Sequence, residues 1–224
     1  REHAISWIIS KSKREIEKIY VMPGNAGTLS EKNVFNIECD INNHQAVLNF
    51  ALENNIDLTI VGPEVPLVEG ISDLFEENNL NIFGPKKYFA QLEGSKVFSK
   101  NFMDSNNLPT ASYKEFDDSK KAKDYLNDKK MPIVIKYDGL AAGKGVDICE
   151  TIDAAKNSID NLLKPGEKII IEDFIKGIEL SAIYICNPNA NKKNIGLTWI
   201  KDYKSRDEYN SGPNTGGMGA VTHP

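Results

Sequence analysis

Cysteine, histidine and tryptophan are scarce in this sequence. Three cysteines (Cys39, Cys149 and Cys186) and three histidines stand among 224 residues. The cysteines are odd in number, at unrelated spacings, with no CxxC pair and no Cys/His cluster. That argues against a disulfide framework and a structural zinc site, and leaves reduced thiols in a cytoplasmic protein. No apolar run is long enough to span a bilayer, and no signal peptide is visible. Positive charge is not in excess either: 27 Lys and Arg against 32 Asp and Glu give a net charge of −5. Such a balance offers no general attraction to nucleic acid or to an anionic membrane, so any phosphate binding has to come from local sites. There is no internal repeat and no long low-complexity linker. The chain starts at Arg1 without Met and stops at Pro224 just after a glycine-rich segment, and both ends are read as truncations.

What is present falls into two rhythms. Over roughly 1–94, short apolar strands alternate with helical patterns: strand 19–22 ending at Pro23-Gly24, helix 45–52, strand 58–61 ending at Gly62-Pro63, helix 67–75, and strand 82–83 leading to Gly84-Pro85. Strands and helices in alternation, punctuated by Gly and Pro at strand ends, predict a doubly wound parallel sheet. Ligands on such sheets sit beyond the carboxyl ends of the strands, where these glycine turns lie. Over 95–224 the rhythm becomes α+β. A helix over 97–103 is followed by a strand near Tyr113, a helix over 120–126, a strand over 133–136 and a glycine-rich turn over 138–145. Then come strand 146–149, helix 152–163 and strand 168–173, which with the preceding elements suggest a lid over 112–176. Strands 180–186 and 195–200, joined by a polar turn over 187–194, complete the pattern.

Asp138-Gly-Leu-Ala-Ala-Gly-Lys-Gly145 is the most informative segment. Glycine backbone can approach a ligand closely and aim N–H groups at phosphate oxygens, so Gly143 and Gly145 are candidates to cradle phosphate and Lys144 adds charge. The spacing is not that of a P-loop, and a strand follows where a helix would be needed. Lys136 ends the strand just before this turn. Lys96 opens a helix, and helix N-termini and lysines both favour phosphate. At the end of the next strand, Glu172-Asp-Phe174 offers backbone groups and a carboxylate to an adenine edge, with Glu179 close behind. Gly212-Pro-Asn-Thr-Gly-Gly-Met-Gly219 reads as a second glycine-rich loop, with Asn214 and Thr215 as neutral hydrogen-bonding groups. Each has a plainer reading: a flexible hairpin, a strand-end or surface lysine, a solvated acidic strand end, a linker.

Taken together in order, Leu92-Glu-Gly-Ser-Lys96, Ile133-Val-Ile-Lys136, the 138–145 turn, Ile171-Glu-Asp-Phe174 and the 212–219 segment resemble the phosphoribosylamine–glycine ligase family of ATP-grasp enzymes. Arg1-Glu-His3, Pro23-Gly-Asn-Ala-Gly-Thr28 and Asp57-Leu-Thr-Ile-Val-Gly-Pro-Glu64 extend the resemblance over essentially the whole chain. It implies an N-terminal Rossmann-like substrate domain over 1–94 and an ATP-grasp domain over 95–224, incomplete at its C-terminus. It also implies ATP-dependent joining of glycine to 5-phosphoribosylamine through a glycyl phosphate, in a cytoplasmic monomer of purine synthesis. By the same resemblance Lys96, Lys136 and Lys144 would neutralise ATP phosphates. Glu172 and Phe174 would hold adenine, and Glu179 the ribose. Gly24, Asn25, Gly27, Thr28, Pro63 and Glu64 would face phosphoribosylamine. Asn214, Thr215, Gly216 and Gly217 would help hold glycine or the acyl phosphate, Asp202 and Lys204 would bind substrate, and Lys136, Lys144, Asn214 and Thr215 would be the catalytic residues. The family often has Asp-His-Lys where this chain has Asp202-Tyr-Lys204, so the position carries no imidazole. The ligands for Mg2+ or Mn2+ are expected beyond Pro224, and the family's first strand and glycine turn before Arg1. Two rivals stay open: another ATP-grasp ligase or a biotin-dependent carboxylase component, and a nucleotide-binding module without catalysis.

Overall fold

The computed structural model of the chain describes residues 1–141, 145–187 and 194–222, the side chains of 210, 211 and 213 excepted. The chain divides into two compact units, Arg1–Ser95 and Lys96–Pro224.

In the first unit the elements run α1 (Glu2–Ser10), β1 (Ile19–Val21), α2 (Ala26–Leu29), β2 (Val34–Asn36), α3 (His44–Glu53), β3 (Thr59–Ile60), α4 (Glu64–Glu69), α5 (Ile71–Glu77), β4 (Ile82–Phe83) and α6 (Lys87–Gly94). β1 pairs with β2 and β3 with β4, both in parallel, as strand–helix alternation predicts. They form two separate pairs, and the facing segments 19–22 and 58–62 line a cavity of about 580 Å³. Val47, Leu48 and Ala51 share one face of α3 and meet Ile71 and Phe75 of α5 in a common core. The side chain of Asn43 caps α3 by accepting from the Ala46 N–H at 3.1 Å. The single helix expected over 67–75 is two helices. Gly70 has φ +103°, a left-handed conformation that ends α4 and that glycine tolerates. β2 was not anticipated, because three residues carry too little alternation to read.

The second unit begins with α7 (Lys96–Ser105). It continues through β5 (Tyr113–Phe116), α8 (Ser119–Tyr125), β6 (Ile133–Tyr137), β7 (Val146–Cys149), α9 (Ile152–Leu162) and β8 (Ile169–Asp173). These strands form one sheet in the order β5-β8-β6-β7, antiparallel throughout. Asp118 caps α8 through the Lys121 N–H, and Thr151 caps α9 through the Ala154 N–H. Ile133, Ile135, Ile169 and Ile171 point to one face of the sheet and pack with Phe116, Ala122, Leu126, Ala155 and Ile159. Each fully buried isoleucine of this kind stabilises by about 1.5–3 kcal/mol.

β9 (Tyr184–Cys186) and β10 (Asn194–Gly196) pair antiparallel, and so do β11 (Ile200–Asp207) and β12 (Ser211–Thr222). The segment 212–219, expected as a loop, therefore lies within a strand. β11 satisfies its backbone groups, with register shifts between Tyr203 and Ser205 and between Ser205 and Asp207 that accommodate its glycines. The expected strand over 195–200 is split between β10 and β11. The polar turn over 187–194 falls largely outside the described residues.

Candidate functional site

Strand alternation decides which side chains meet. With Ile133 and Ile135 of β6 in the core, Lys136 points to the other face; with Ile169 and Ile171 of β8 in the core, Glu172 does too. The register pairs Val134 with Glu172 and Lys136 with Ile170, so Lys136 and Glu172 are diagonal neighbours, within reach of long side chains. They form an ion pair through Glu172 Oε1. Tyr113 of β5 sits directly opposite Glu172 on the same face.

Helix α7 supplies the rest. Lys100 is buried, with its Nζ 2.6 Å from Glu172 Oε2. That oxygen accepts no well-aligned hydrogen bond, so the contact is held by charge. Lys100 donates instead to Thr110 Oγ1 at 2.7 Å and to the Ala111 carbonyl at 3.2 Å, and lies 5.3 Å from the centre of the Tyr113 ring. One turn earlier on the same helix, Lys96 donates to the carbonyl of Gly139 at 2.9 Å. Asp138 answers by accepting from the Val97 N–H at 3.1 Å. The start of α7 and the turn after β6 are thus tied to one another, one bond in each direction. Gly139 has φ +148°, and a Cβ there would come within 2.7 Å of the Tyr137 ring. The hairpin closes through a 2.8 Å bond from the Tyr137 N–H to the Gly145 carbonyl. Gly143 and Lys144 lie outside the described residues.

Phe174 follows β8 directly and is part-exposed, with Ile175 and Ile178 largely exposed beyond it. Glu179 forms an ion pair with Lys204, whose Nζ is also 3.9 Å from Asp202 Oδ2. Thr215 Oγ1 donates to the Lys204 carbonyl at 2.9 Å and accepts from the Gly217 N–H at 3.0 Å. Four residues named from sequence, Glu179, Asp202, Lys204 and Thr215, therefore meet around Lys204 of β11. Asn214 stands opposite Ser205 in the ladder, and Gly216 is exposed.

In the first unit, Asn25 and Thr28 cap α2 reciprocally: Asn25 Oδ1 accepts from the N–H groups of Gly27 and Thr28, and Thr28 Oγ1 accepts from the Asn25 N–H. Thr28 is fully buried and its hydroxyl also donates toward Asn36 Oδ1 at 2.7 Å. Its side chain thus holds the turn from within. A Cβ on Gly24 (φ +81°) would meet Asn36 at 2.2 Å, and one on Gly27 would meet His3 at 2.4 Å. Pro63 leads into α4, and Glu64 at its start lies 3.5 Å from the Arg1 guanidinium.

Sequence reasoning missed Lys100. The signal was there: Lys96 and Lys100 are four apart, on one face of a helix, where like charges repel unless something answers them. Among the described residues no three His, Cys, Asp or Glu side chains converge to hold a metal ion. No described helix is long and apolar enough to cross a membrane.

The fold is that of the ATP-grasp class. N5-carboxyaminoimidazole ribonucleotide synthetase from Thermus thermophilus, only 15% identical, superposes with a TM-score of 0.67 over 90% of this chain and 51% of its own. Within that class the chain belongs to the phosphoribosylglycinamide synthetase family: the family's N domain matches residues 1–93 and its ATP-grasp (A) domain residues 94–224. It is 46% identical to the phosphoribosylamine–glycine ligase of Clostridium acetobutylicum, over 99% of this chain and 53% of that protein. The crystal structure of the Thermotoga maritima phosphoribosylamine–glycine ligase matches with a TM-score of 0.74 at 29% identity, over 99% of this chain and 54% of its own. The chain spans about half the length of the curated relatives it matches.

Proposed function

We propose that this chain is the nucleotide-binding and amine-binding part of a cytoplasmic, monomeric ligase that joins glycine to 5-phosphoribosylamine at the expense of ATP. A carboxylate is a poor acyl donor. Transfer of the γ-phosphoryl group to glycine gives glycyl phosphate and ADP. Attack by the phosphoribosylamine nitrogen on the acyl carbon then expels phosphate and forms the amide of glycinamide ribonucleotide. Both steps need positioned cations and N–H donors around phosphoryl oxygens, and no protein nucleophile.

The observation that carries the reading is the charged face of the β5-β8-β6-β7 sheet. Lys136 and Lys100 share one carboxylate, Glu172, leaving an excess positive charge beside a glycine turn whose carbonyl holds Lys96. On this reading Lys96, Lys136 and Lys144 contact the phosphates together with the N–H groups of Gly143 and Gly145. Glu172 and the backbone of Phe174 take the adenine edge, and Glu179 the ribose hydroxyls, leaving Lys204 to do so. Asp202, Lys204, Asn214, Thr215, Gly216 and Gly217 bind glycine and the acyl phosphate. The main chain of 24–28, with Pro63 and Glu64, receives phosphoribosylamine.

The test is turnover by the full native chain with ATP, divalent metal, glycine and freshly prepared phosphoribosylamine. Glycine-dependent ADP release with glycinamide ribonucleotide identified by mass is the expected result. ADP release that requires bicarbonate instead would favour the carboxylase reading, and nucleotide binding without turnover of any carboxylate would leave a binding module.

A further inference from the structure

We infer that Lys100 is a positioning residue for nucleotide binding: it is the standing counter-ion of Glu172, and by remaining there it releases Lys136 to a phosphate. The inference rests on the nucleotide reading above.

Glu172 is 5% exposed, and its two oxygens face two different ammonium groups. The two lysines are not equivalent. Lys100 is 7% exposed and locked: Thr110 Oγ1 and the Ala111 carbonyl take two of its N–H groups, Glu172 Oε2 lies 2.6 Å away, and the Tyr113 ring lies beneath it. Those protein groups, none of which a ligand would replace, hold Lys100 in place. Lys136 stands at the strand end before the glycine turn, its side chain more open to solvent, with Glu172 as its ion-pair partner. If Glu172 had Lys136 alone, moving that lysine onto a phosphate would strand a buried carboxylate, which is strongly unfavourable. With Lys100 in place the carboxylate keeps a partner whichever way Lys136 turns. Two positive charges on one negative charge leave one positive charge for the ligand. The second lysine therefore changes Lys136 from a structural ion pair into a transferable cation.

The quantity that reads this out is the ratio of ATP affinity to adenosine affinity, measured by calorimetry on the full native chain. Adenosine lacks phosphates, so the ratio isolates what the lysines do for them. Lys100→Met should lower the ratio about tenfold or more, the scale of one lost charge-assisted contact. Adding Glu172→Gln should restore it, because Lys136 then has no buried charge to abandon. In Glu172→Gln alone both affinities fall with the lost adenine contact while their ratio stays at or above the native value. Lys100→Arg, which keeps the charge, should hold the ratio near native. A purely structural Lys100 would lower both affinities together, and the second substitution would rescue neither; that result overturns the inference. If Lys100→Met does not fold, Glu172→Gln decides by itself, since a tenfold fall in its ratio would mean that Glu172 aims Lys136 at the phosphates and does not compete for it. A native chain that binds neither ATP nor adenosine overturns the nucleotide reading and this inference with it. A native chain that binds both, with a ratio indifferent to Lys100, overturns this inference alone.

Discussion

The two faces of the β5-β8-β6-β7 sheet are built by the same strands from adjacent residues, and they solve opposite problems. On one face Ile133, Ile135, Ile169 and Ile171 close against α8 and α9 with no polar group to satisfy. On the other, one residue along each strand, Lys136 and Glu172 meet Tyr113 and the buried Lys100. Apolar burial stabilises by itself. Buried charge is costly unless paired, and replacing such pairs by apolar residues is often neutral or better for stability. Val134 and Ile170 are buried on this face too, so apolar burial supports it, and the lysine–glutamate–lysine cluster adds charge that stability alone does not call for. If the charged face binds nucleotide as proposed, stability and ligand binding are separated by face in this unit, and substitutions can test the separation.

The largest effect is expected on the apolar face. Ile171→Ala removes a side chain that is 1% exposed at the centre of the cluster. It should cost about 2–5 kcal/mol in urea unfolding, while the folded fraction binds ATP as before. A loss of affinity per folded molecule would show that the faces are coupled.

On the charged face the order reverses. Lys136→Ala should weaken ATP binding by about 1.5–3 kcal/mol, the range for a charge-assisted bond. Adenosine binding should change far less. Equal losses for both ligands would place Lys136 in the architecture and not at the phosphates.

These two faces were unequally visible in the sequence. The apolar runs Ile133-Val-Ile and Ile169-Ile-Ile exposed the strands, and Lys136 and Glu172 stood out as the charges that end them, because a short apolar run is a local property. The Lys136–Glu172 meeting depends on a strand register that no local pattern encodes. The spacing of Lys100 from Lys96 was a local hint of a charge needing an answer, but the carboxylate that answers it lies 72 positions along the chain, by the difference of 172 and 100. The segment 212–219 was misjudged because its glycines and proline outweigh any strand propensity, and only β11 beside it supplies the ladder. The break at Gly70 was readable in hindsight from one glycine inside a helical pattern.

Gly139 lies where the charged face runs into its turn, and its effect should be intermediate. Alanine there takes a positive φ and presses its Cβ to 2.7 Å from the Tyr137 ring, while the carbonyl still has to meet Lys96. We expect a loss of about 1–2 kcal/mol in stability together with weaker ATP binding. Gly166, in the turn before β8 with φ +85° and open space around it, is the control. Alanine there carries the backbone strain without the clash, so it should cost less and leave ATP affinity unchanged. Matching results at the two glycines would mean that the tie to α7 contributes nothing.

The smallest effect concerns a proton. Tyr113 faces Glu172 across the ladder, and its hydroxyl is 2.9 Å from Asp104 Oδ2 and 2.9 Å from Asn101 Oδ1, both on α7. Burial, reinforced by the Asp104 carboxylate that accepts its proton, pushes the phenol from about 10 up to about 12. A raised folded value means that the folded state holds the proton longer than the unfolded chain does. The stability this contributes is complete below about pH 10 and is lost as the pH climbs through about 12. Phenylalanine at this position keeps the ring beneath Lys100 and deletes only the hydroxyl. Tyr113→Phe should therefore remove the last-titrating phenol from an ultraviolet titration and flatten the alkaline fall in stability, with ATP affinity near neutral pH almost untouched. If native and substituted proteins lose stability with the same slope above about pH 10, the hydroxyl is not held by α7, and that helix is tied to this side of the sheet by Lys96, Val97 and Lys100 without it.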